Sequence, residues 1–241
     1  AQGWSEENSA SFIAYGRFFN PEREQQFDVI GDLVCAALGG ESAPFILELC
    51  SGAGDLAGYL LSRLPAARYR ALDGSPAMLA ETARQCAPYR DRLMTAQFNL
   101  GSEAWRAMEE RPNAVVSSLA VHHLDGAGKR KLFRDLHGLL APGGVFVLAD
   151  IMRPTSPSGF AVAAEAYERA VAERSLRERG DLSMLEKLRE LRWNYFRYPD
   201  DNPIDRPSTI AEHLIWLAEA GFRGADVHWA LAGHVIVSGT K

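Results

Sequence analysis

Between residues 43 and 151, short apolar runs alternate with amphipathic stretches of helical period, and few folds accommodate that alternation. The runs at 43–50, 67–73, 92–99, 113–121 and 145–151 read as strands. The stretches at 54–64, 75–86, 103–108 and 129–140 read as helices. Strands separated by helices cannot pair as hairpins. They pair in parallel through crossover connections, which puts helices on both faces of one sheet. Right-handed crossovers then give a doubly wound α/β fold.

The flanks break the pattern. Two helices are expected ahead of the first strand, at 5–19, with Phe12, Tyr15 and Phe19 on one face, and at 20–38, with Asn20 as its cap and Pro21 at its first position. Beyond residue 152 come helices at 160–180 and 181–196, the latter opened by a Ser183-x-x-Glu186 capping box. A Pro/Asp-rich loop at 197–208 follows, then a helix from Thr209-x-x-Glu212 through Ala220 and two closing strands at 224–233 and 234–241. At 241 residues the chain is read as a single domain, residues 1–241. Residues 1–40 supply N-terminal helices or a lid, and 153–207 form a helical insertion over one end of the sheet.

Net charge is −5 and the pI is 5.7, so no global basic field points to nucleic acid. The three cysteines, Cys35, Cys50 and Cys86, include no CxxC pair. Neither a disulfide framework nor a metal site is expected, and a reducing cytoplasm fits best. No secretory leader is read at the N-terminus, and no apolar run is long enough to span a membrane.

The sharpest local signal is "ILELCSGAGDLAGYL", residues 46–60. A glycine turn between strand and helix lets a ligand approach the backbone at a helix N-terminus. Gly52-Ala-Gly54-Asp-Leu-Ala57 fits the GxGxxA of dinucleotide sites, and Asp73 at the end of the second strand suits a ribose diol. Glu48 separates the possibilities. A carboxylate ahead of the turn gains nothing from a pyrophosphate but suits a cationic ligand.

On these residues the chain resembles the class I S-adenosylmethionine-dependent methyltransferases, over roughly residues 45 to 151. Glu48-Leu-Cys50-Ser51-Gly52-Ala-Gly54 is similar to their first motif, with Cys50 in place of a glycine. "ALDGSPAML" is similar to the second, carrying Asp73, Gly74 and Met78. Asn99 and Leu100 follow the third strand. "VVSSLAVHHL" resembles the fourth motif and carries Ser118 and Leu119, and "LLAPGGVFVLAD" resembles the signature after it. The resemblance implies a sheet of seven mostly parallel strands, Rossmann-like, closed by a C-terminal antiparallel hairpin. It also implies S-adenosylmethionine as cofactor, S-adenosylhomocysteine as product and methyl transfer to a small-molecule acceptor, by a monomer or homodimer. Its cofactor ligands map onto Glu48, Cys50, Ser51, Gly52, Gly54, Asp73, Gly74, Met78, Asn99, Leu100, Ser118 and Leu119, with Tyr15 and Arg17 from the N-terminal helix. Asn99 reads equally as a turn residue.

His122 and His123 fall beside the expected methyl position and are the candidate catalytic bases, His122 ahead of His123, or else loop-packing residues. Phe19, Trp193, Tyr195 and Arg197 are the candidate acceptor contacts, although the aromatics serve equally to pack a helix. A looser likeness links 195–222 to the enzymes that make carboxy-S-adenosylmethionine for tRNA modification, with Arg197 as the carboxylate ligand. A non-catalytic S-adenosylmethionine binder and, more remotely, a nicotinamide-dependent oxidoreductase are the other readings.

Overall fold

The computed structural model describes residues 4–201 and 204–241. Helices α1 (Glu6–Phe19) and α2 (Arg23–Leu38) precede the alternating region. There β1 (Phe45–Leu49), α3 (Asp55–Arg63), β2 (Arg68–Asp73), α4 (Pro76–Gln85), β3 (Leu93–Gln97), β4 (Ala114–Ser118), α5 (Gly126–Leu139) and β5 (Val145–Ile151) follow in order. Helices α6 (Pro157–Arg179), α7 (Ser183–Leu191) and α8 (Ile210–Glu219) lead to β6 (Arg223–Leu231) and β7 (His234–Thr240).

The seven strands form one sheet in the order β3-β2-β1-β4-β5-β7-β6. The first five are mutually parallel, and β7 runs antiparallel to both β5 and β6. The expected fold is therefore the observed one, terminal hairpin included. β1 shows why its sequence has no apolar/polar alternation: all five of its residues are buried, as in a central parallel strand covered on both faces. Ile46 belongs to the core under α2 and α3, with Leu56, Leu60 and Tyr69. Leu47 and Leu49 belong to the opposite core under α5 and α8, with Leu132, Phe133 and Trp216. A third core, built from Phe18, Phe19, Tyr167, Val171, Leu185, Leu188 and Phe196, joins α1, α6 and α7 into a helical cap over the carboxyl ends of the strands.

Several local expectations change. Asn20 ends α1 instead of capping α2, because Gln26 Nε2 bonds its side-chain carbonyl at 2.7 Å and the chain turns through a left-handed Glu22 (φ 44°) before α2 begins. The Ser183 capping box does not form. Ser183 is already helical, and its backbone N–H and hydroxyl both donate to Asp181. The helix expected through 196 stops at Leu191, since Arg192 adopts a left-handed φ of 55°. The Thr209–Glu212 capping box forms in full. Residues 103–108 supply only a 3-10 turn, Ala104–Arg106.

Candidate active site

In an open parallel sheet, ligands bind beyond the carboxyl ends of the strands where strand order reverses. Here that point lies between β1 and β4. A cleft of about 640 Å³ opens beside it, lined by Cys50, Gly52, Asp73, Gly74, Met78, Phe98, Asn99, Leu100, Ser118, Leu119 and His123, with Trp4, Glu6 and Phe12 from the N-terminal segment. A second hollow of about 310 Å³ shares Phe12, Cys50, Gly52, Ser118 and Leu119 with the cleft, and reaches Glu48, Ser51, Arg17 and Arg23 under the glycine turn. A third, about 90 Å³, continues from Trp4, Phe12 and Leu119 into the cap, among Phe19, His122, Tyr167, Trp193, Tyr195, Asp205 and His234. The three adjoin one another through these shared walls. A separate depression of about 500 Å³ lies around Phe45 at the other end of the strands, reached by no motif, and its Arg68 is paired with Glu110.

The two glycines of the turn have different reasons to be glycine. Gly52 has φ 55°, and its N–H donates to Asp73 Oδ2 at 2.9 Å. Gly54 has φ 89°, and a Cβ there would stand 2.8 Å from Thr82 Cα, so it is needed for close packing of α4. Gly54 does not line the cleft. Cys50 occupies the left-handed region at φ 57°, as does Leu119 at φ 53°. Each costs about 1–2 kcal/mol relative to glycine, and both line the cleft. The position where the first motif carries glycine is thus a position whose backbone requires glycine-like freedom.

Asp73 was expected at an exposed strand end and is instead 9 % exposed. Its carboxylate accepts the N–H groups of Gly52 and Ser75, both at 2.9 Å, and so ties the glycine turn to the start of α4. Burial raises its pKa against these backbone donors. Glu48 is 1 % exposed and accepts the Tyr69 hydroxyl at 2.9 Å. Burial, with Asp73 and Asp55 nearby, raises its pKa to about 8 against the Tyr69 bond, so it is largely protonated at neutral pH until a cation arrives. The Ser51 hydroxyl is buried in the same region without a hydrogen-bond partner among the described residues, a donor awaiting a polar ligand.

The two histidines sit on a 3-10 turn, Val121–His123. Asp150, buried at the end of β5, accepts both the backbone N–H of His122 at 2.8 Å and its ring Nδ1 at 2.5 Å. His122 Nε2 lies 3.5 Å from Asp205 Oδ1, and His123 Nδ1 lies 3.2 Å from the same oxygen. Burial alone would lower the His122 pKa, but the two carboxylates outweigh it and raise it to about 10. With no other cation in place, His122 is an imidazolium and cannot act as a base. His123 faces the cleft and is the better placed of the two. The segment that follows Asp205 is held by Lys129. That fully buried ammonium donates to the Ser208 hydroxyl at 3.0 Å and to the Arg206 carbonyl, while the Arg206 N–H donates to the His122 carbonyl at 2.8 Å.

Arg197 does not reach the cleft. Its guanidinium donates to Glu168 at 2.5 Å and Glu165 at 2.6 Å, pinning the 192–198 loop to α6. This occupied fork leaves the carboxylated-cofactor reading without its ligand. Tyr15 packs on Phe19 within the cap and lies outside the cleft lining. Arg17 lines the hollow under the glycine turn while paired with Glu178 at 2.5 Å. Sequence reading passed over Asp150, although an acid at the end of a strand is the same signal that identified Asp73. It also passed over Trp4 and Glu6 as cleft residues. The Ser75 hydroxyl donates to Glu6 Oε2 at 3.0 Å, which holds α1 across the mouth of the cleft.

Residues 46–144 match the methyltransferase domain family. Trans-aconitate 2-methyltransferase from Variovorax paradoxus is 31% identical over 125 residues, 50% of this chain and 45% of that protein. The chain therefore spans about half the length of that curated relative. Among solved structures, an O-methyltransferase family 2 protein from Planctomyces limnophilus in complex with apigenin superimposes with a TM-score of 0.65, at 16% identity, over 98% of this chain and 61% of that one. Human N-acetylserotonin methyltransferase in complex with SAM gives 0.57, at 16% identity, over 98% and 56%. These structural likenesses establish the fold.

Proposed function

We propose that the chain, whose residues 46–144 match the methyltransferase domain family, is a class I S-adenosylmethionine-dependent methyltransferase that transfers a methyl group from S-adenosylmethionine to a small-molecule acceptor. The observation that carries this reading is the series of adjoining hollows from Glu48 and Ser51, past Asp73 and Met78, to an aromatic hollow in the cap. Glu48 and Ser51 suit the ammonium and carboxylate end of the cofactor. Asp73 suits the ribose hydroxyls, and Gly74, Met78, Asn99 and Leu100 the adenine. Ser118 and Leu119 then lie where the sulfonium joins the acceptor side.

Methyl transfer is an in-line displacement, so alignment of acceptor, methyl carbon and sulfur supplies much of the rate. The acceptor hollow holds about 90 Å³, room for a functional group and not for a whole acceptor, and its walls include Phe19, Trp193 and Tyr195. Such walls favour a planar, weakly polar acceptor like the apigenin of the Planctomyces protein over a polycarboxylate like aconitate, since Arg197 and Arg17 are already held by glutamates. His123 lines the cleft and is the candidate to receive an acceptor proton when no ion is bound beside it.

Calorimetry with S-adenosylmethionine, S-adenosylhomocysteine and NADH tests the cofactor, and mass spectrometry of reactions with flavone, phenol and aconitate acceptors tests the transfer. Binding of the two adenosyl ligands and a 14-Da gain on a planar phenol are expected (about one CH₂ unit, the group whose transfer defines the reaction). Binding of NADH with neither adenosyl ligand would overturn the reading. Cofactor binding with no transfer to any acceptor would leave a non-catalytic binder.

A further inference from the structure

The side chains of His122, His123 and Asp205 are more than a loop-packing cluster. One nitrogen from each ring and one carboxylate oxygen lie within 4.8 Å of one another. The two pairs to Asp205 Oδ1 measure 3.5 Å and 3.2 Å. Ligands held at the usual metal–nitrogen and metal–oxygen lengths of about 2.0–2.2 Å stand about 3.0–3.5 Å apart along a coordination edge. Two of the three edges therefore have the spacing of atoms that share one ion, and the nitrogen–nitrogen edge lies within 4.8 Å.

Three further observations point the same way. Asp150 takes the Nδ1 side of His122 at 2.5 Å and its backbone N–H at 2.8 Å, so the ring is fixed with Nε2 toward Asp205. A histidine that ligates a metal characteristically gives its other ring nitrogen to a carboxylate in this manner. Next, two carboxylates converge on the buried His122 ring, and Asp150 is itself 1 % exposed. Carboxylates in that position stabilise a cation on the ring nitrogen, a bound metal ion as well as a proton. Finally, the group faces usable space: His122 and Asp205 line the acceptor hollow, and His123 lines the cofactor cleft.

We propose that His122 Nε2, His123 Nδ1 and the Asp205 carboxylate bind one first-row divalent transition-metal ion, with open coordination positions toward the acceptor hollow. Two imidazoles with one carboxylate form a set of mixed nitrogen and oxygen donors that suits zinc, iron, cobalt or manganese and disfavours calcium. The sequence reading assigned no metal because the ligands are not close in the chain: the Asp205 loop reaches the histidine turn only in the folded state. On the methyltransferase reading, the ion orients an acceptor oxygen. A hydroxyl bound there loses its proton to solvent more readily. The oxygen then forms its bond to the methyl carbon as the carbon–sulfur bond breaks and sulfur keeps the electron pair. The metal site itself does not depend on that reading.

The test uses the full chain without cofactor, stripped with a chelator and titrated with Co²⁺ under visible absorption and calorimetry. One equivalent should bind, with ligand-field bands, and the ring signals of two of the six histidines should be displaced in imidazole-selective ¹H–¹⁵N spectra. His123→Ala and Asp205→Asn should each weaken binding by at least about tenfold, with circular dichroism confirming the fold, while His228→Ala, on β6, binds as the wild type does. Absence of a stoichiometric site in the wild type overturns the proposal. So does unchanged Co²⁺ affinity in either folded variant, or displacement of signals from other histidines. If both variants fail to fold, the wild-type histidine spectra decide. Because no methyl transfer is read, failure here leaves the cofactor assignment standing, and failure of the cofactor assignment leaves the metal site standing.

Discussion

The sheet edge and the helical cap form the cleft together but are built by opposite means. On the sheet side, cleft-lining groups sit at strand ends beside the turns that position them. Cys50, Gly52 and Asp73 are placed by backbone conformation and by hydrogen bonds between neighbouring loops. On the cap side, position comes from pairs distant in sequence. Tyr167 on α6 donates to the Phe19 carbonyl on α1 at 2.7 Å, Arg197 clamps its loop to Glu165 and Glu168, and Asp205 meets His122 and His123. A site built on local turns is stated in contiguous motifs, whereas one built on distant pairs shows only as scattered aromatics and charges.

The largest effect that can break this comparison concerns Glu48, an ionisable side chain buried inside the sheet. Its pKa is about 8 in the folded chain against an ordinary 4.5. Below pH 4.5 it is protonated both folded and unfolded and changes nothing. Between 4.5 and 8 the unfolded chain ionises while the folded chain does not, so stability falls as pH rises. The loss is on the order of 5 kcal/mol. Glu48→Gln should flatten that slope in denaturant titrations across this range. Parallel curves for the two proteins would show that the sheet tolerates the acid without strain. If Glu48 holds the cofactor ammonium, binding below pH 8 must also release a proton, seen as a buffer-dependent heat.

In the cap, Leu188 is fully buried among α6, α7 and the 193–196 loop. Leu188→Ala should cost about 2–5 kcal/mol. If the cap is a separate cooperative unit, the loss should appear as faster amide exchange in α6 and α7 and a raised KM for the acceptor, with cofactor affinity changed by less than about threefold. An equal loss of cofactor affinity would mean that the two regions unfold together.

Asp73→Asn tests the sheet side directly. It should weaken cofactor binding by about 1.5–3 kcal/mol, the scale of hydrogen bonds to a charged group, as measured by calorimetry. Because Asp73 also accepts two backbone N–H groups, Asp73→Ala should in addition lower the melting temperature. Affinity unchanged in the Asn variant would remove Asp73 from the ribose role. The smallest effect is expected from Arg197→Lys. Its pair with the exposed Glu165 is screened by solvent, and the change should cost less than about 1 kcal/mol and leave cofactor binding intact. A marked loss of cofactor affinity would restore Arg197 to the site.

Legibility in the sequence followed the same division. β5 matched its apolar run residue for residue, and the Thr209 capping box could be read because both of its partners lie within four residues. Ser183 carried the same signature and failed, since Asp181 two residues upstream captured its hydroxyl. Arg197 was recognisable as a residue needing an anion. Which anion depended on Glu165 and Glu168 a helix away, and no local pattern records that. His122 was noticed for its chemistry, while Asp150, which fixes its ring and its charge, lies beyond all of α5.

Cys50 has a chemical consequence beyond its backbone geometry. Its thiol lines the cleft where a sulfonium methyl, a potent alkylating group, would be held. Burial, with the carboxylates of Asp73, Asp150 and Glu48, raises the thiol pKa well above its ordinary value. Only the thiolate is an effective nucleophile. The environment that would recognise a cationic cofactor therefore also disfavours the thiolate of Cys50, the form that a sulfonium methyl would alkylate.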